Sequence, residues 1–242
     1  INEPSTSVAG ESFDIQPVVQ IQDAYGAVIT SSQAPITASI STGTGTSGAT
    51  LLGSTTVDSH MGIATFRELS IDKAGASYTL TLSSTGLRSA ATSKFDIVPA
   101  GASKLTFTVQ PQGGTAGDTS ALNSTVVITD NMGNIVTNAN ADITLAIHPS
   151  STELIGTTTV TSLNAVAAFD AVRIEKAGEY SLCASTSLTN PLLISTLNRT
   201  PTDTEAAHFY PWMLFESLCQ VYAGRWGLEF VLTSLSQTAR NR

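Results

Sequence analysis

The residues that could do chemistry in this 242-residue sequence are few and lie in unrelated surroundings. The histidines are His60, in a turn pattern, His148, which precedes a proline, and His208, near the start of the C-terminal tail. No H-E-x-x-H, C-x-x-C or G-x-S-x-G motif is present, so the sequence offers no zinc site, redox pair or nucleophile elbow. We therefore predict a protein that is not an enzyme, with no catalytic residues, no metal site and no cofactor.

Two acidic turn segments are the strongest remaining candidates for a site. The segment DAYG, from Asp23 to Gly26, recurs as DNMG, from Asp130 to Gly133. Aspartate at the first position and glycine at the fourth are typical of a type I turn. We predict that the two aspartates cap their own turns. The alternative is that they bind calcium at a domain junction, although no further carboxylates cluster near them in the sequence.

Two N-x-[ST] triplets could accept N-linked glycans. They begin at Asn123 and Asn198, and such triplets mark surface positions of secreted proteins. The two cysteines, Cys183 and Cys219, are too few for a disulfide framework. We expect an extracellular or cell-surface glycoprotein.

Composition excludes several classes of partner. Charged residues make up only 12% of the chain and the net charge is −8, with no basic cluster, so we predict no nucleic-acid binding. Hydrophobic residues reach 41%, which is enough for packed cores. Ser and Thr replace charge at the surface, and Thr fits exposed β-structure.

The candidate residues belong to an internal repeat of domain size. The stretch ATFRELSIDKAGASYTL, from Ala64 to Leu80, returns as AAFDAVRIEKAGEYSL, from Ala167 to Leu182. Alternating apolar residues between turn signals predict several short β-strands in each copy. We predict an all-β chain of two Greek-key sandwiches, over residues 1–99 and 100–200.

The N-terminal stretch predicts a strand with one buried face. Phe13, Ile15, Val19 and Ile21 alternate, and Pro17 shares their parity, which indicates an edge strand or a bulge. Aligning the copies places the chain's first residue late in an opening strand. We therefore expect the first domain to be incomplete at its N-terminus.

Both copies resemble the bacterial-type, invasin-like immunoglobulin repeats that occur in tandem in surface adhesins. The resemblance rests on DAYGAVIT and DNMGNIVT, on LLGSTTV and LIGTTTV, and on the two KAG segments that precede a Tyr and a Leu. Gly75 and Tyr78 in the first copy, and Gly178 and Tyr180 in the second, are the turn and corner residues that this resemblance implies. Leucine stands where an immunoglobulin domain has its second cysteine.

The resemblance implies stalks, spacers, adhesin rods and filament subunits, and it implies no catalytic residues. We expect a non-catalytic structural protein whose partners are neighbouring copies or other subunits of an extracellular assembly. The alternative is an adhesin, or a carbohydrate- or protein-binding module, that uses exposed loops such as 41–50.

The tail, residues 201–242, has a different composition, with a polar linker followed by a hydrophobic segment. Apolar residues at helical spacing predict a helix between Pro211 and Gly224. Glu216 and Arg225 interrupt the run of about 20 apolar residues that a membrane span requires, so we expect no span. Three interpretations stay open: packing on the second domain, docking on a neighbouring subunit, or a mis-assigned end of the sequence.

Overall fold

The computed structural model describes residues 2–119, 122–148 and 152–186, together with the backbone of Thr196–Arg199. Within these residues the chain is all-β, as predicted, and none of them lies in a helix. No helix that is long and apolar enough to cross a membrane occurs in the described part. The predicted tail lies outside the described residues, and so does its helix.

The first half of the chain contains short strands. They are β1 Ser7–Val8, β2 Val18–Gln20, β3 Pro35–Ile40, β4 Leu51–Leu52, β5 Thr56–Asp58, β6 Ile63–Thr65, β7 Ser70–Ile71, β8 Gly75–Tyr78, β9 Leu80–Ser83, β10 Ala90–Ala91 and β11 Phe95–Val98.

The second half has longer strands. They are β12 Lys104–Val109, β13 Ser124–Thr129, β14 Asp142–His148, β15 Thr159–Thr161, β16 Val166–Phe169, β17 Tyr180–Thr186 and β18 Thr196–Arg199.

The second half is a two-sheet sandwich. One sheet has the order β12-β13-β16 and the other has the order β15-β14-β17-β18. Because β13 and β14 lie in different sheets, as do β15 and β16, the chain crosses repeatedly between the layers. All strand pairs in both sheets are antiparallel. This is the architecture of an immunoglobulin-like sandwich.

The first half repeats this plan in shorter pieces. Its four-stranded sheet, β10-β9-β3-β5, contains the same pairing as β17 with β14, here made by β9 and β3. Its opposite layer contains β2 paired with β6, as β13 is paired with β16. The strands β1, β11 and β8 form a further sheet in which β1 and β11 run parallel.

Each half has its own hydrophobic core. The two clusters contain equivalent side chains, because the apolar positions of the repeat face inward in both copies. Phe66 and Phe169 are fully or almost fully buried at the same place in each core. The fully buried members of the first cluster include Leu69, Ile71, Tyr78 and Leu80, and those of the second include Val126, Ile128, Ile143 and Val172. We call these units the first and the second sandwich.

The expectation of one strand through Phe13, Ile15 and Ile21 is wrong at its start. The strand β2 begins only at Val18, and Ile15 is 44% exposed. Hydrogen bonds from the Gln16 side chain replace the backbone pairing that a regular strand would make here. Its Nε2 donates to the carbonyls of Phe13 (3.0 Å) and Leu69 (3.1 Å), and its Oε1 accepts from the Leu69 N–H (3.0 Å). These local bonds compete with regular pairing.

Strand β17 is buried on both faces. Leu182 and Ala184 belong to the core of the second sandwich, whereas Cys183, one residue out of phase, does not. This agrees with the alternation of side chains along a strand. Cys183 is disulfide-bonded, and the chain's other cysteine, Cys219, lies outside the described residues.

Candidate functional site: the corner between the two sandwiches

The two acidic turns have the same backbone geometry. In the first, the Gly26 N–H donates to the Asp23 carbonyl at 3.1 Å, and in the second the Gly133 N–H donates to the Asp130 carbonyl at 3.1 Å. Both glycines have positive φ, 87° and 88°, a conformation that other residues adopt only with strain. The repeated sequence therefore forms a repeated turn.

The aspartate side chains bond to the backbone of their own turns. Asp23 Oδ1 accepts from the N–H groups of Tyr25 and Ala27, each at 2.9 Å, and Asp130 Oδ1 accepts from the Asn134 N–H at 2.8 Å. Such bonds are the capping role of aspartate in turns. Among the described residues, no group of three or more His, Cys, Asp or Glu side chains lies close enough to hold a metal ion.

Asp130 has a second role that Asp23 lacks. It is completely buried, and its Oδ2 accepts from the N–H of Ala100, in the linker, at 3.0 Å and from Asn134 Nδ2 at 2.9 Å. A buried carboxylate is tolerated because N–H donors satisfy its oxygens. Asp130 thus ties the linker to the first turn of the second sandwich.

Asn134 extends this network across to the first sandwich. Its Nδ2 donates to the Asp72 carbonyl at 2.9 Å, and its Oδ1 accepts from the Ala74 N–H at 2.8 Å. With the bond to Asp130, both amide hydrogens and the amide oxygen have partners. One side chain therefore fixes the second sandwich against the KAG turn of the first.

A close apolar contact lies beside these bonds. A Cβ placed on Gly10 would come within 2.6 Å of Met132 Cε, so the Met132 side chain covers the glycine directly. Gly10 also has a φ of 76°. The turn Asp130–Asn134 therefore meets the first sandwich through both polar and apolar contacts, and we call this contact the corner.

Tyr78 bonds to the same segment of the first sandwich that Asn134 contacts. It is fully buried, and its hydroxyl donates to the Lys73 carbonyl at 2.8 Å. Gly45 lies on its ring so closely that a Cβ there would overlap it, and a Cβ on Gly75 would overlap the Thr46 hydroxyl. In the second sandwich a Cβ on Gly178 would lie 2.8 Å from the hydroxyl of the equivalent residue, Tyr180, which is also buried.

The loop at residues 41–50 packs on the same corner. Thr46 Oγ1 donates to the Ala74 carbonyl at 2.6 Å, and Lys73 Nζ donates to the Ser47 carbonyl at 3.2 Å. The Thr50 N–H donates to Asp72 Oδ1 at 2.6 Å. These bonds connect the loop to the segment 72–74, to which Asn134 also bonds.

The candidate glycosylation positions lie in the second sandwich. Asn123 immediately precedes β13, and in the orientation that fits its surroundings its Nδ2 donates to the carbonyls of Thr119 (3.1 Å) and Asp170 (3.0 Å). A glycan on this nitrogen would replace one of the two bonds. Asn198 lies in β18 and is paired with Ser181 of β17, and its side chain is outside the described residues.

The pKa of the Glu3 carboxyl group is shifted by a local contact. Hydrogen bonds from the hydroxyl and the backbone N–H of Ser93 lower the pKa of Glu3. Glu3 is exposed and lies away from the corner, so this shift reflects a local contact between the N-terminal segment and the approach to β11.

Sequence reasoning missed Asn134 and Gly10, two of the residues that make the corner. The repeat could not indicate Asn134, because the equivalent residue in the first copy is Ala27. Asn134 is therefore visible in the sequence only as a difference between the copies. Gly10 does have a counterpart, Gly117, whose φ is 86°. The shared glycine was a usable signal of close backbone approach.

Comparisons with known proteins do not assign a family. No protein-family model and no curated protein matches the chain. Solved structures that resemble it include a beta-glycosidase from Bacteroides vulgatus, with 11% identity, a TM-score of 0.37 and coverage of 83% of this chain and 24% of the glycosidase. The chain thus spans about a quarter of that enzyme's length.

Two further similar structures are of fibronectin(III)-like modules and of a titin tandem. Fibronectin(III)-like modules of CbhA from Clostridium thermocellum are 11% identical, with a TM-score of 0.27 and coverage of 86% of this chain and 96% of theirs. A chimeric titin Z1Z2-Z1Z2 tandem is 11% identical, with a TM-score of 0.22 and coverage of 84% and 100%. At these scores the likenesses carry no argument about function, which has to come from the chain itself.

Proposed function

We propose that the chain is a non-catalytic extracellular structural protein, a pair of immunoglobulin-like modules that bears load in a surface filament, stalk or cell-wall assembly. In this proposal the modules are of the bacterial, invasin-like type. Their partners are neighbouring copies or other subunits of the assembly.

The observation that carries the proposal is the parallel pairing of β1 with β11. Ser7 lies opposite Ile97 and Val8 opposite Val98, and the Ala9 N–H donates to the Val98 carbonyl at 2.9 Å. These are the first and the last strands of the first sandwich. Force entering before β1 and leaving after β11 pulls two parallel neighbours in opposite directions along their length. Their hydrogen bonds must then break together, which makes the sandwich resist extension.

The corner supports the same function. Asn134 bonds to the first sandwich twice, and Asp130 bonds to the linker. A linker held in this way limits bending between the modules, because a change of angle must break these partly buried hydrogen bonds. A stiff pair of modules is suited to a stalk or a filament.

The composition favours a place outside the cell, since a surface of Ser and Thr with few charges suits exposed β-modules. The alternative function, an adhesin or binding module, would use the loop at residues 41–50. In this chain Thr46 and Thr50 of that loop bond to the first sandwich itself. We therefore favour the structural function.

Single-molecule pulling on the full chain tests the proposal through the choice of attachment points. Handles at Asn2 and Gly101, both exposed, load β1 against β11, whereas handles at His60 and Gly101 bypass that pair. We expect a clearly higher rupture force in the first geometry. Equal forces, or a higher force in the second geometry, would refute a load-bearing role.

A further inference from the structure

The corner consists of an inserted half and a receiving half. Each half has a second copy elsewhere in the chain. Neither second copy makes a corner contact with the other described residues. The inserted half is the turn Asp130–Asn134, with Met132 at its tip. The receiving half is Gly10 with the segment that follows β7.

The second copy of the inserted half is the turn at residues 23–27 of the first sandwich. Its closing bond, from the Asp23 N–H to the Ala27 carbonyl, is 2.9 Å long, the same as the bond from the Asp130 N–H to the Asn134 carbonyl. Tyr25 stands where the other turn has Met132, and it is 97% exposed. A large amphipathic side chain is thus presented at the tip of a rigid turn, as is common at interfaces.

The second copy of the receiving half lies on the second sandwich. The Gly117 N–H donates to the Ile174 carbonyl at 2.8 Å, as the Gly10 N–H donates to the Ile71 carbonyl at 2.8 Å. Both glycines have positive φ, 86° and 76°. Glu175 and Lys176, which follow Ile174, are exposed. The backbone cradle that accepts Met132 in the first sandwich therefore has a counterpart in the second.

We propose that the Tyr25 turn of one copy docks on the Gly117 cradle of a second copy, and so repeats between molecules the contact seen between the sandwiches. This deepens the proposed structural function and rests on it for its biological use. The inserted and receiving surfaces lie on different sandwiches, so the contact is heterologous. Contacts of this kind extend into open filaments when the rotation does not close a ring.

One difference between the copies predicts the strength of the contact. Ala27 stands in the place of Asn134, so the turn of the first sandwich lacks the amide that bonds across the corner. Glu175 Oε1 is paired with Arg173 at 2.6 Å, and Glu175 Oε2 lies 3.5 Å from where a Cβ on Gly117 would stand. The contact between molecules then depends on Tyr25, whose phenol can donate to Glu175 Oε2. We infer that it is weaker and more readily reversed than the corner within the chain.

Sedimentation velocity of the full chain over a concentration series measures the association. We expect growing oligomers for the unaltered chain and an association constant about tenfold lower for Tyr25→Ser, since aromatic interface residues dominate binding energy. Because Tyr25 is exposed, that variant should fold normally. Ala27→Asn should strengthen association, because its amide can reach the Glu175 carbonyl and the Ala177 N–H as Asn134 reaches Asp72 and Ala74. A chain that stays monomeric in both the unaltered form and the Ala27→Asn variant overturns the proposal.

A photo-crosslinking amino acid at position 25 identifies the surface that is touched. In a mixture of isotopically heavy and light chains, we expect mixed crosslinks to peptides that contain Gly117 or the segment 175–178. Crosslinks elsewhere, or oligomers that Tyr25→Ser does not weaken, would rule this interface out. If the chain stays monomeric but shows the expected higher rupture force, self-association is overturned and the mechanical function stands. If the chain forms oligomers but shows no higher rupture force, the mechanical function is overturned and self-association stands.

Discussion

Asn134 in the second sandwich donates its side-chain amide to the carbonyl of Asp72 in the first, at 2.9 Å. The amide oxygen of Asn134 accepts from the Ala74 N–H of the first sandwich, and the second amide hydrogen is donated to Asp130 within its own turn, so both amide hydrogens and the oxygen have partners. The angle between the sandwiches therefore depends on a residue that belongs to neither hydrophobic core.

Replacing Asn134 with alanine tests this dependence. Asn134→Ala removes both bonds to the first sandwich and leaves a backbone N–H and a carbonyl without those partners, at a cost of about 1–3 kcal/mol. We expect small-angle scattering to show a wider range of module arrangements and denaturant unfolding to show lower stability. Asn131→Ala, on the exposed side of the same turn, is the control. Unchanged scattering in Asn134→Ala would mean that other contacts hold the corner.

The two aspartates offer a matched comparison. Every group that bonds to the Asp130 carboxylate is an N–H donor, so the amide hydrogens of Asp130→Asn would have to face donors. We expect a loss of about 1–3 kcal/mol in the free energy of unfolding. Asp23→Asn should cost less, because that side chain is exposed and water can replace its bonds. Thermal unfolding of both variants measures the difference, and equal losses would contradict the role assigned to burial.

Alanine substitutions at Gly45 and Gly43 distinguish two losses in the free energy of unfolding, one from backbone strain and one from steric overlap. Both glycines have positive φ, 64° and 78°, but only a Cβ at Gly45 would overlap the Tyr78 ring. We expect Gly43→Ala to cost about 1–2 kcal/mol from its left-handed backbone alone. Gly45→Ala should cost roughly 1–3 kcal/mol more, because it overpacks a buried site. Chemical denaturation gives both values, and equal costs would show that the loop can move away from the tyrosine.

Gly53 and Gly156 test whether the two cores unfold separately. Their φ values are 93° and 113°, and a Cβ on them would overlap the carbonyls of Glu68 and Ala171, respectively. We expect Gly53→Ala to reduce hydrogen-exchange protection in the first sandwich and Gly156→Ala to reduce it in the second. Gly26→Ala, where φ is 87° and a Cβ would meet open space, is the control for strain without overlap. Loss of protection throughout the chain in either variant would indicate one cooperative unit.

Much of the fold could be predicted because burial within a sandwich follows local alternation. Phe66, Leu80 and their counterparts Phe169 and Leu182 are recognisable by period and by repetition, and all four are buried. The acidic turns were predictable for a similar reason, since aspartate and glycine at those positions have few other uses. Ile15 was misjudged because the side-chain bonds of Gln16 replaced the regular ladder.

The sequence by itself determined the class of fold, the number of repeats and most of the residues of each core, because these depend on the order of apolar and turn residues over short distances. Only the tertiary structure decided that β1 pairs in parallel with β11, and that Asn134 grips a turn some sixty residues earlier in the chain. Such contacts depend on where separate elements come to lie in space. A single polar residue carries no periodic signal of its distant partner, so the alternating pattern that predicts the sandwiches does not predict what joins them.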